Sequence, residues 1–311
     1  PSNVGQSGRG LGSRDFDRNS EDSLEEDLGG SMASGMKNDA PRALVLRAAG
    51  TNCDEETVHA LELAGAIVTN VHVNVLSENP ELLDDVGLLA IPGGFTFGDD
   101  VASGAVLAHI LEQRLHDSLH AFVERGGLVI GICNGFQVLV RLGLLPGGEN
   151  RGALLWNQSA RFEDRWVHLQ AGDAESPWFE PGEKYFIPVA HAEGRFEWFP
   201  EDAGATLDSA QVAFHYTDVS GEKASYPDDP NGSHKAVAGL ISPDGNVLGM
   251  MPHPERFVRP EHHPTWMRIR PDGAVPSEEE LPVPLGLSIF RRAVETLRQR
   301  SDQLVEERGT S

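Results

Sequence analysis

The sequence predicts an α/β fold: a mostly parallel sheet with helices on both faces and antiparallel additions in the C-terminal half. Three observations predict it. Apolar, strand-like runs alternate with helical patterns from Arg42 onward, glycine-rich loops follow two of these runs, and the second half changes to short strands joined by turns. Strands that alternate with helices are typical of a parallel sheet. Ligands bind such sheets beyond the carboxyl ends of the strands, so we expect both glycine-rich loops at one crevice.

Four predicted strands and three predicted helices make up the first half. The apolar runs RALVLRAAG, IVTNVHVNVL, GLLAIPGGF and LVIGI are predicted as strands. Between and after them, helical patterns lie in EETVHALELAGA, from Val101 to Arg125, and from Gly135 onward. Gly126 and Gly127 end the second helical pattern directly before the fourth strand.

The second half is predicted to extend the same sheet and to add antiparallel ribbons. Its short strands lie in GALLWNQSARFEDRWVHLQ, KYFIPVAH, QVAFHYTD and KAVAGLISPDGNVLGMMPHPE. SPDG has the composition of a hairpin turn, so we expect one between Ile241 and Asn246. The Pro-rich, polar stretch from Phe257 to about Pro284 predicts a surface loop. LGLSIFRRAVETLRQR predicts an amphipathic helix.

Residues 1–40 are predicted to form a disordered acidic tail rich in Ser and Gly, and residues 41–311 a single domain. The tail has too few large apolar side chains to bury a core of its own. The formal net charge of −23 argues against nucleic acid as a partner, because phosphate contacts need clustered Lys and Arg. No run of about 18 apolar residues predicts a membrane span. Two cysteines cannot build a disulfide scaffold, so we expect a cytoplasmic protein.

The stretch GICNG, residues 131–135, predicts a nucleophile at Cys133. Glycines on both sides let a strand turn sharply into a helix and expose the nucleophile at the tip of the turn. The N-terminus of the following helix favours the thiolate, and the backbone N–H of Asn134 can point at an oxyanion. A buried core cysteine is the alternative. The flanking glycines and the change from strand to helix favour the nucleophile.

A cysteine nucleophile needs a base and a group that orients the base. MMPHPE supplies His253, with Glu255 two residues further on. Pro252 and Pro254 favour extended backbone, in which residues two apart lie on the same side. A carboxylate beside His253 would fix its tautomer and stabilise the imidazolium. Because the chain has 12 histidines, a surface loop with an unrelated histidine is the alternative.

A second oxyanion donor is predicted from IPGGFTFGDD, where Gly94 and Phe95 can present backbone N–H groups at the same sheet edge. An ordinary turn between strand and helix is the alternative there. Cys53 lies in GTNCDEE, near the predicted crevice. Its surroundings are those of a helix start and lack an elbow, so direct catalysis by Cys53 is the less favoured hypothesis.

No metal site and no ATP site are predicted in this chain. Neighbouring His and Glu residues lack the paired spacing of metal ligands: His191 with Glu193, and Glu261 with His262 and His263. A phosphate-binding loop of the form GxxxxGK[ST] does not occur in the sequence.

GICNGFQ and MMPHPE resemble the motifs of the class I, or triad, glutamine amidotransferases. A narrower resemblance, to the glutaminase subunits of phosphoribosylformylglycinamidine synthase, rests on TNCDEE, IPGGFTFGDDVASGA, VAHAEGRF and DPNGSHKAVAGLISPDGNVLGMMPHPER. It covers about Arg42 to Phe257 and implies a flavodoxin-like sheet of the amidotransferase type. The acidic tail has no counterpart in the family pattern, and the stretch between Arg256 and Leu285 is longer than usual.

The resemblance implies hydrolysis of L-glutamine to glutamate and ammonia through a thioester on Cys133. His253 would take the thiol proton and deliver it to the departing ammonia, and Glu255 would orient His253. The implied oxyanion donors are the N–H groups of Gly94 or Phe95 and of Asn134. The implied glutamine-binding residues are Gln137, His191, Glu193, Gly194 and Arg195.

The resemblance also implies partners. A large synthetase subunit, PurL, would use ATP and magnesium to convert formylglycinamide ribonucleotide to the amidine in purine nucleotide synthesis. A small subunit, PurS, would bridge the two where it is present. No cofactor is expected in this chain itself. We further hypothesise that YPDDPNGS, Tyr226 to Ser233, faces the synthetase.

Three alternatives stay open from the sequence. One is a glutaminase for another synthetase, in pyridoxal phosphate, cytidine or guanine nucleotide synthesis; Phe136, Gln137 and the PNGS segment argue against it. Another is a cysteine peptidase or deglycase of similar fold, against which the His-Pro-Glu order argues. The third is a non-catalytic protein that kept the fold, against which the intact set of Cys133, His253 and Glu255 argues.

Overall fold

The computed structural model describes residues 40–147, 151–199, 207–266 and 282–309. The strands there are β1 (Arg42–Arg47), β2 (Ile67–His72), β3 (Leu88–Ile91), β4 (Leu128–Ile132), β5 (Arg151–Leu155), β6 (Glu163–Ala171), β7 (Lys184–His191), β8 (Arg195–Phe199), β9 (Val212–Thr217), β10 (Val237–Ile241) and β11 (Val247–Met250). The helices are α1 (Asp54–Leu63), α2 (Val73–Glu78), α3 (Ala105–Glu124), α4 (Asn134–Arg141) and α5 (Leu285–Gly309). The prediction of a disordered tail falls on residues 1–39, outside the described ranges.

Nine of the described strands form one sheet, in the order β2-β1-β3-β4-β11-β10-β9-β6-β7. The first five are parallel to one another, and from β11 to β7 each neighbouring pair is antiparallel. β5 and β8 form a separate antiparallel ribbon. The predicted fold class, a mostly parallel sheet with antiparallel additions in the C-terminal half, is confirmed.

The central strands are buried along their whole length, which explains their unbroken apolar sequences. Every residue of β3 and β4 is buried, as expected for parallel strands covered on both faces. Along α3 the buried apolar residues recur at helical spacing, and α5 likewise buries Leu287, Phe290 and Val294. None of the described helices combines the length and the apolar character that a membrane crossing requires.

The second predicted strand is shorter than expected. IVTNVHVNVL is rich in β-branched residues and is predicted as one strand, but β2 ends at His72 and α2 follows at once. The backbone N–H of Asn74 donates to Nδ1 of His72 at 3.2 Å, so the His72 side chain caps the new helix. Val73 and Leu76, one helical turn apart, are buried. Capping and burial of this turn therefore override the strand pattern.

The predicted hairpin turn and the predicted helix from Val101 are both present, but the helix starts later than expected. The SPDG turn is confirmed, because β10 and β11 pair as an antiparallel hairpin around it. The helix predicted from Val101 begins only at Ala105, after a short 3₁₀ turn at Thr96–Asp99. Gly104, with φ 71°, turns the chain into α3.

Candidate active site

Cys133 lies in the sharp turn between β4 and α4. Its backbone has φ 52° and ψ −104°, a strained conformation for a residue with a side chain. The Cys133 N–H donates to the carbonyl of Met250 at 2.8 Å, which fixes the turn against β11. A Cβ on Gly135 would lie 1.8 Å from the carbonyl oxygen of Ile91, and one on Gly131 would lie 2.6 Å from the carbonyl oxygen of Gly135. Glycine is required on both sides, so the structure has the geometry predicted for the elbow.

His253 and Glu255 follow β11, the strand next to β4, and reach the elbow from that side. His253 Nδ1 lies 2.6 Å from Glu255 Oε1, and both side chains are buried. Burial alone would lower the pKa of His253. The charges of Glu255 and Cys133 and hydrogen bonds with Cys133 and Cys53 raise it well above the usual value. The Glu255 contact on Nδ1 leaves Nε2 of His253 available to the Cys133 thiol.

The loop after β3 supplies one candidate oxyanion donor, at Gly94. No acceptor among the described residues engages the Gly94 N–H. The Phe95 N–H donates to the carbonyl of Gly50 at 2.9 Å, so the structure removes Phe95 from the predicted donors. Gly94 has φ 144°, and a Cβ there would lie 2.8 Å from the backbone nitrogen of Asn52. The remaining candidate donors are therefore Gly94 and Asn134, the first residue of α4.

Gly93 separates the side chains of the site. A Cβ there would lie 2.8 Å from Cε1 of His253, 3.3 Å from Sγ of Cys53 and 3.4 Å from Cβ of Cys133. We expect Gly93→Ala to push the imidazole out of line with Cys133 and to lower kcat of the reaction at Cys133 by on the order of 100-fold, a loss that a misplacement near 1 Å can cause. Steady-state kinetics and thermal unfolding of the same preparation test this. An unchanged kcat in a folded variant would contradict this placement of His253.

A cavity of about 290 Å³ opens on Cys133. The predicted residues in its wall are Gly94, Phe95, Cys133, Gln137, His191 and Glu193. Gly194 and Arg195 are not in the wall: the Gly194 N–H donates to Asn157, and Arg195 donates to the Trp156 carbonyl and to Glu197. The two glycine-rich loops thus meet at one crevice, as the sequence predicted.

Hydrogen bonds join the elbow to the loops around it. Thr96 Oγ1 donates to Asn134 Oδ1 at 2.6 Å, and Asn134 Nδ2 donates to Asp99 Oδ1 at 3.1 Å and to Gln137 Oε1 at 3.0 Å. Gln137 Nε2 in turn donates to the carbonyl of Glu193 at 2.6 Å. Both ends of the Gln137 amide are engaged, so Gln137 links the start of α4 to the backbone of Glu193 across the cavity wall.

Two carboxylates give the cavity a negative wall. Ser103 bonds to both, with its N–H 3.3 Å from Glu193 Oε2 and its Oγ 3.1 Å from Asp99 Oδ2. Burial raises the pKa of Asp99, and the charge of Glu193 adds to this, while hydrogen bonds from Ser103, Gly104 and Asn134 oppose it. Asp99, Ser103 and Trp156 were not among the residues predicted for the site. Asp99 and Ser103 lie within IPGGFTFGDDVASGA, and this motif was the sequence signal that could have identified them as site residues.

The PNGS segment, Pro230 to Ser233, packs against the turn that carries Gly194, next to the cavity wall. Asn231 is fully buried, and its Nδ2 donates to the carbonyl of Gly194 at 2.8 Å. Ser233 Oγ accepts from the backbone N–H of Phe196 at 2.9 Å. The hypothesis that all of Tyr226 to Ser233 faces a partner is therefore wrong for its second half, whereas Tyr226 is exposed.

Cys53 lies beside the triad but outside the cavity wall. Its Sγ is 4.0 Å from His253 Nδ1 and accepts from Arg256 Nη2 at 3.1 Å. Burial raises the pKa of Cys53. Possible ligand atoms of Cys53, His253 and Glu255 lie within 4.8 Å of one another. However, the 2.6 Å between Nδ1 and Oε1 is a hydrogen-bond distance, shorter than the roughly 3.3 Å between two ligands of tetrahedral zinc.

Comparison with known proteins places this geometry in a family. Residues 40–295 match the model of the CobB/CobQ-like glutamine amidotransferase domain. A phosphoribosylformylglycinamidine synthase subunit PurQ from Dehalococcoides mccartyi is 41% identical over 263 residues, 83% of this chain and 98% of the relative. The Thermotoga maritima protein of the same name is 38% identical over 221 residues, 70% of this chain and 89% of the relative.

A solved structure agrees with the sequence relatives. A chain in the structure of PurLQS from Thermotoga maritima superposes with a TM-score of 0.61 at 34% identity, covering 83% of this chain and 99% of that one. The chain therefore belongs to the CobB/CobQ-like glutamine amidotransferase family and, within it, to the PurQ subunits of phosphoribosylformylglycinamidine synthase, which are glutamine amidotransferases.

Proposed function

We propose that this chain hydrolyses L-glutamine at Cys133 and supplies the ammonia for the ATP-dependent conversion of formylglycinamide ribonucleotide to formylglycinamidine ribonucleotide, a step of purine (IMP) biosynthesis. One observation carries the proposal. A strained cysteine elbow, a buried His253–Glu255 pair and a cavity with two carboxylates lie together in a member of the PurQ family. The intact set of Cys133, His253 and Glu255 argues against the scaffold alternative, and membership of the PurQ family argues against the peptidase or deglycase alternative.

Glutamine binding follows from the size and charge of the cavity. About 290 Å³ accommodates one amino acid. Asp99 and Glu193 attract the α-ammonium group, and the side-chain amide reaches Cys133 at the other end of the cavity. Gln137 acts indirectly, because it fixes the backbone of Glu193.

The first chemical step is attack by sulfur. His253 takes the thiol proton, and the thiolate adds to the amide carbon while the carbonyl electron pair moves to oxygen. The N–H groups of Gly94 and Asn134 stabilise the oxyanion. Collapse of this intermediate breaks the C–N bond, the His253 proton goes to the departing nitrogen, and ammonia leaves a glutamyl thioester on Cys133.

The second step hydrolyses the thioester and regenerates the free enzyme. His253, now neutral, takes a proton from water, and the resulting hydroxide adds to the thioester carbon. Breakdown of the intermediate expels the Cys133 thiolate, which recovers its proton from His253, and releases glutamate. Glu255 holds the imidazole and stabilises its cation throughout.

The synthetase partner is PurL, and a PurS subunit bridges the two where it exists. In support, large apolar side chains are exposed beside the cavity: Phe95 and Trp156 lie in its wall, and the Phe162 ring centroid lies 6.4 Å from that of Phe95. Exposed apolar patches of this kind mark docking sites. In this proposal ATP and magnesium act on the synthetase, this chain needs no cofactor, and the reaction takes place in the cytoplasm.

Reconstitution of the complex tests the proposal. The full chain, mixed with purified synthetase, ATP, magnesium and formylglycinamide ribonucleotide, is expected to form the amidine from glutamine. Glutaminase activity that couples only to a pyridoxal phosphate, cytidine or guanine nucleotide synthetase would support the first alternative instead. Absence of glutamine hydrolysis with every synthetase would reject the proposal.

Glu255→Gln isolates the contribution of the carboxylate. A neutral amide no longer offsets the burial of His253, so the pKa of His253 falls and the imidazolium formed during catalysis is destabilised. We expect kcat to fall by on the order of 10³- to 10⁴-fold. The raised pKa of His253 also stabilises the fold, fully below pH 6.5 and progressively less as the pH rises through the folded pKa. The free energy of unfolding should therefore differ less between pH 6 and pH 9 in the variant than in the wild type.

A further inference from the structure

We infer that Asn157 is a positioning residue that holds His191 in the tautomer whose Nε2 accepts a hydrogen bond from an N–H group of bound glutamine. The inference rests on the proposed function, because it assigns a role in the same cavity. Asn157 lies in the turn that follows the β5 strand, and the sequence motifs of the site do not include it. It does not line the cavity, whereas His191 does.

The orientation of the Asn157 amide is set by its neighbours. Its Oδ1 lies 3.0 Å from the backbone nitrogen of Gly194, which can only donate. Its Nδ2 lies 2.8 Å from the carbonyl oxygen of His191 and 2.9 Å from that of Arg161, which can only accept. The reverse orientation would place donor against donor and acceptor against acceptor, so the oxygen must face Gly194.

This orientation determines where His191 carries its proton. Nδ1 of His191 lies 3.0 Å from the same Oδ1, an atom that can only accept. Nδ1 must therefore be protonated, and Nε2 of the neutral ring is left as a hydrogen-bond acceptor. Every hydrogen-bonding position of the buried Asn157 side chain is engaged, so the amide cannot rotate at low cost.

Nε2 of His191 is buried and has no hydrogen-bond partner among the described residues. A buried acceptor of this kind is costly unless a ligand or water donates to it. Glutamine offers N–H donors on its α-ammonium group and on its side-chain amide. Because His191 forms part of the wall beside Cys133, a glutamine N–H is the ligand group whose chemistry fits.

His191 stays neutral over the working pH range. Burial, first, and then the charge of His253 lower its pKa to about 3. The titratable and charged groups around it are His253 after β11, Cys133 at the elbow, Glu193 in its own turn, and Arg165 and Glu163 on β6. An imidazolium here would present a donor on Nε2 and repel the substrate's N–H.

Asn157→Asp tests the inference through the pH dependence of the KM for glutamine. One carboxylate oxygen accepts from Gly194 and from His191 Nδ1 as the amide oxygen does. The other loses the two hydrogen bonds that Nδ2 donates to the carbonyls of His191 and Arg161, and the added charge beside Nδ1 stabilises the imidazolium and raises the pKa of His191. With the full chain in complex with its synthetase, the KM for glutamine of the variant should rise about tenfold as the pH falls from 8 to 5. The wild-type KM should change little over the same range.

Two further variants separate positioning from support of the fold. Ser233→Ala loosens the same Gly194 turn without touching His191 Nδ1, and its KM should be independent of pH. Asn157→Asp combined with His191→Gln replaces the titrating ring by an amide whose oxygen occupies the place of Nε2. This double variant should lose the pH dependence that the single variant acquires.

Nitrogen-15 spectra of the imidazole rings give a test that does not need activity. In the full-length Cys133→Ala chain, His191 is expected to show protonated Nδ1 and unprotonated Nε2 at pH 7, and the Nε2 resonance should shift when glutamine is added. The opposite tautomer, or a resonance that glutamine leaves unchanged, would overturn the inference. So would a pH-independent KM in a folded Asn157→Asp variant of an active complex. A wild-type complex that fails to hydrolyse glutamine would instead reject the proposed function, and this inference with it.

Discussion

Replacement of Cys133 by alanine is expected to abolish glutamine-dependent amidine formation by the complex with its synthetase, while ammonium salts still support the reaction. Without the thiol no thioester can form, and oxyanion stabilisation alone cannot replace the nucleophile. The loss of glutamine-dependent rate should exceed about 10⁴-fold. The synthetase chemistry does not involve this side chain, so the ammonium-dependent rate should stay within a few-fold of wild type.

Cys53→Ala is the matched control for this prediction. It removes the only other thiol of the chain, which is also buried next to His253, but it leaves the cavity wall unchanged. We expect this variant to keep glutamine-dependent activity. If Cys53→Ala lost that activity completely while Cys133→Ala retained it, the assignment of the nucleophile would be wrong.

Gly135→Ala is expected to destabilise the fold severely. The added Cβ would lie 1.8 Å from the carbonyl oxygen and 2.7 Å from the carbonyl carbon of Ile91. These atoms belong to β3, which is paired on both sides and cannot move away. We expect a loss above about 4 kcal/mol in the free energy of unfolding, or no folded protein at all. Urea unfolding followed by circular dichroism measures it.

Gly143→Ala controls for the general effect of replacing a glycine near α4. Gly143 has φ 72°, but its Cβ would meet no atom within 4 Å, so only backbone strain of about 1 kcal/mol is expected. Equal stabilities of the Gly135 and Gly143 variants would show that the elbow has room to move away from β3.

The elbow at Cys133 and its approach by MMPHPE were predictable from sequence because both follow from simple rules. Glycines around Cys133 allow only a tight turn. The extended backbone predicted for MMPHPE is wrong, because Pro254–Arg256 form a 3₁₀ turn, and this turn places the Glu255 carboxylate against Nδ1 of His253. Parallel strand order then brings the elbow and this segment together, since β4 and β11 are neighbours. These rules were enough to bring His253 and Glu255 to Cys133, but not to predict the backbone of the segment that carries them.

Other features depended on contacts that no local pattern reveals. Phe95 fits the pattern of an oxyanion donor, but its N–H is taken by the distant Gly50 carbonyl. The PNGS segment is polar like a surface loop, but tertiary hydrogen bonds bury Asn231 against Gly194. The role of Asn157 depends on a neighbour 34 residues away in the chain. In each case the deciding partner is remote in sequence.

Intact-mass spectrometry of the chain after treatment with a diazoketone analogue of glutamine, with and without the synthetase subunit, tests the central claim most directly. Such an analogue alkylates only a nucleophile that sits at the reacting end of a glutamine site. We predict one adduct, located on Cys133, blocked by excess glutamine, absent from Cys133→Ala and retained in Cys53→Ala. Absence of any adduct with the synthetase present, or an adduct on Cys53 alone, would contradict the assignment of Cys133 as the glutaminase nucleophile.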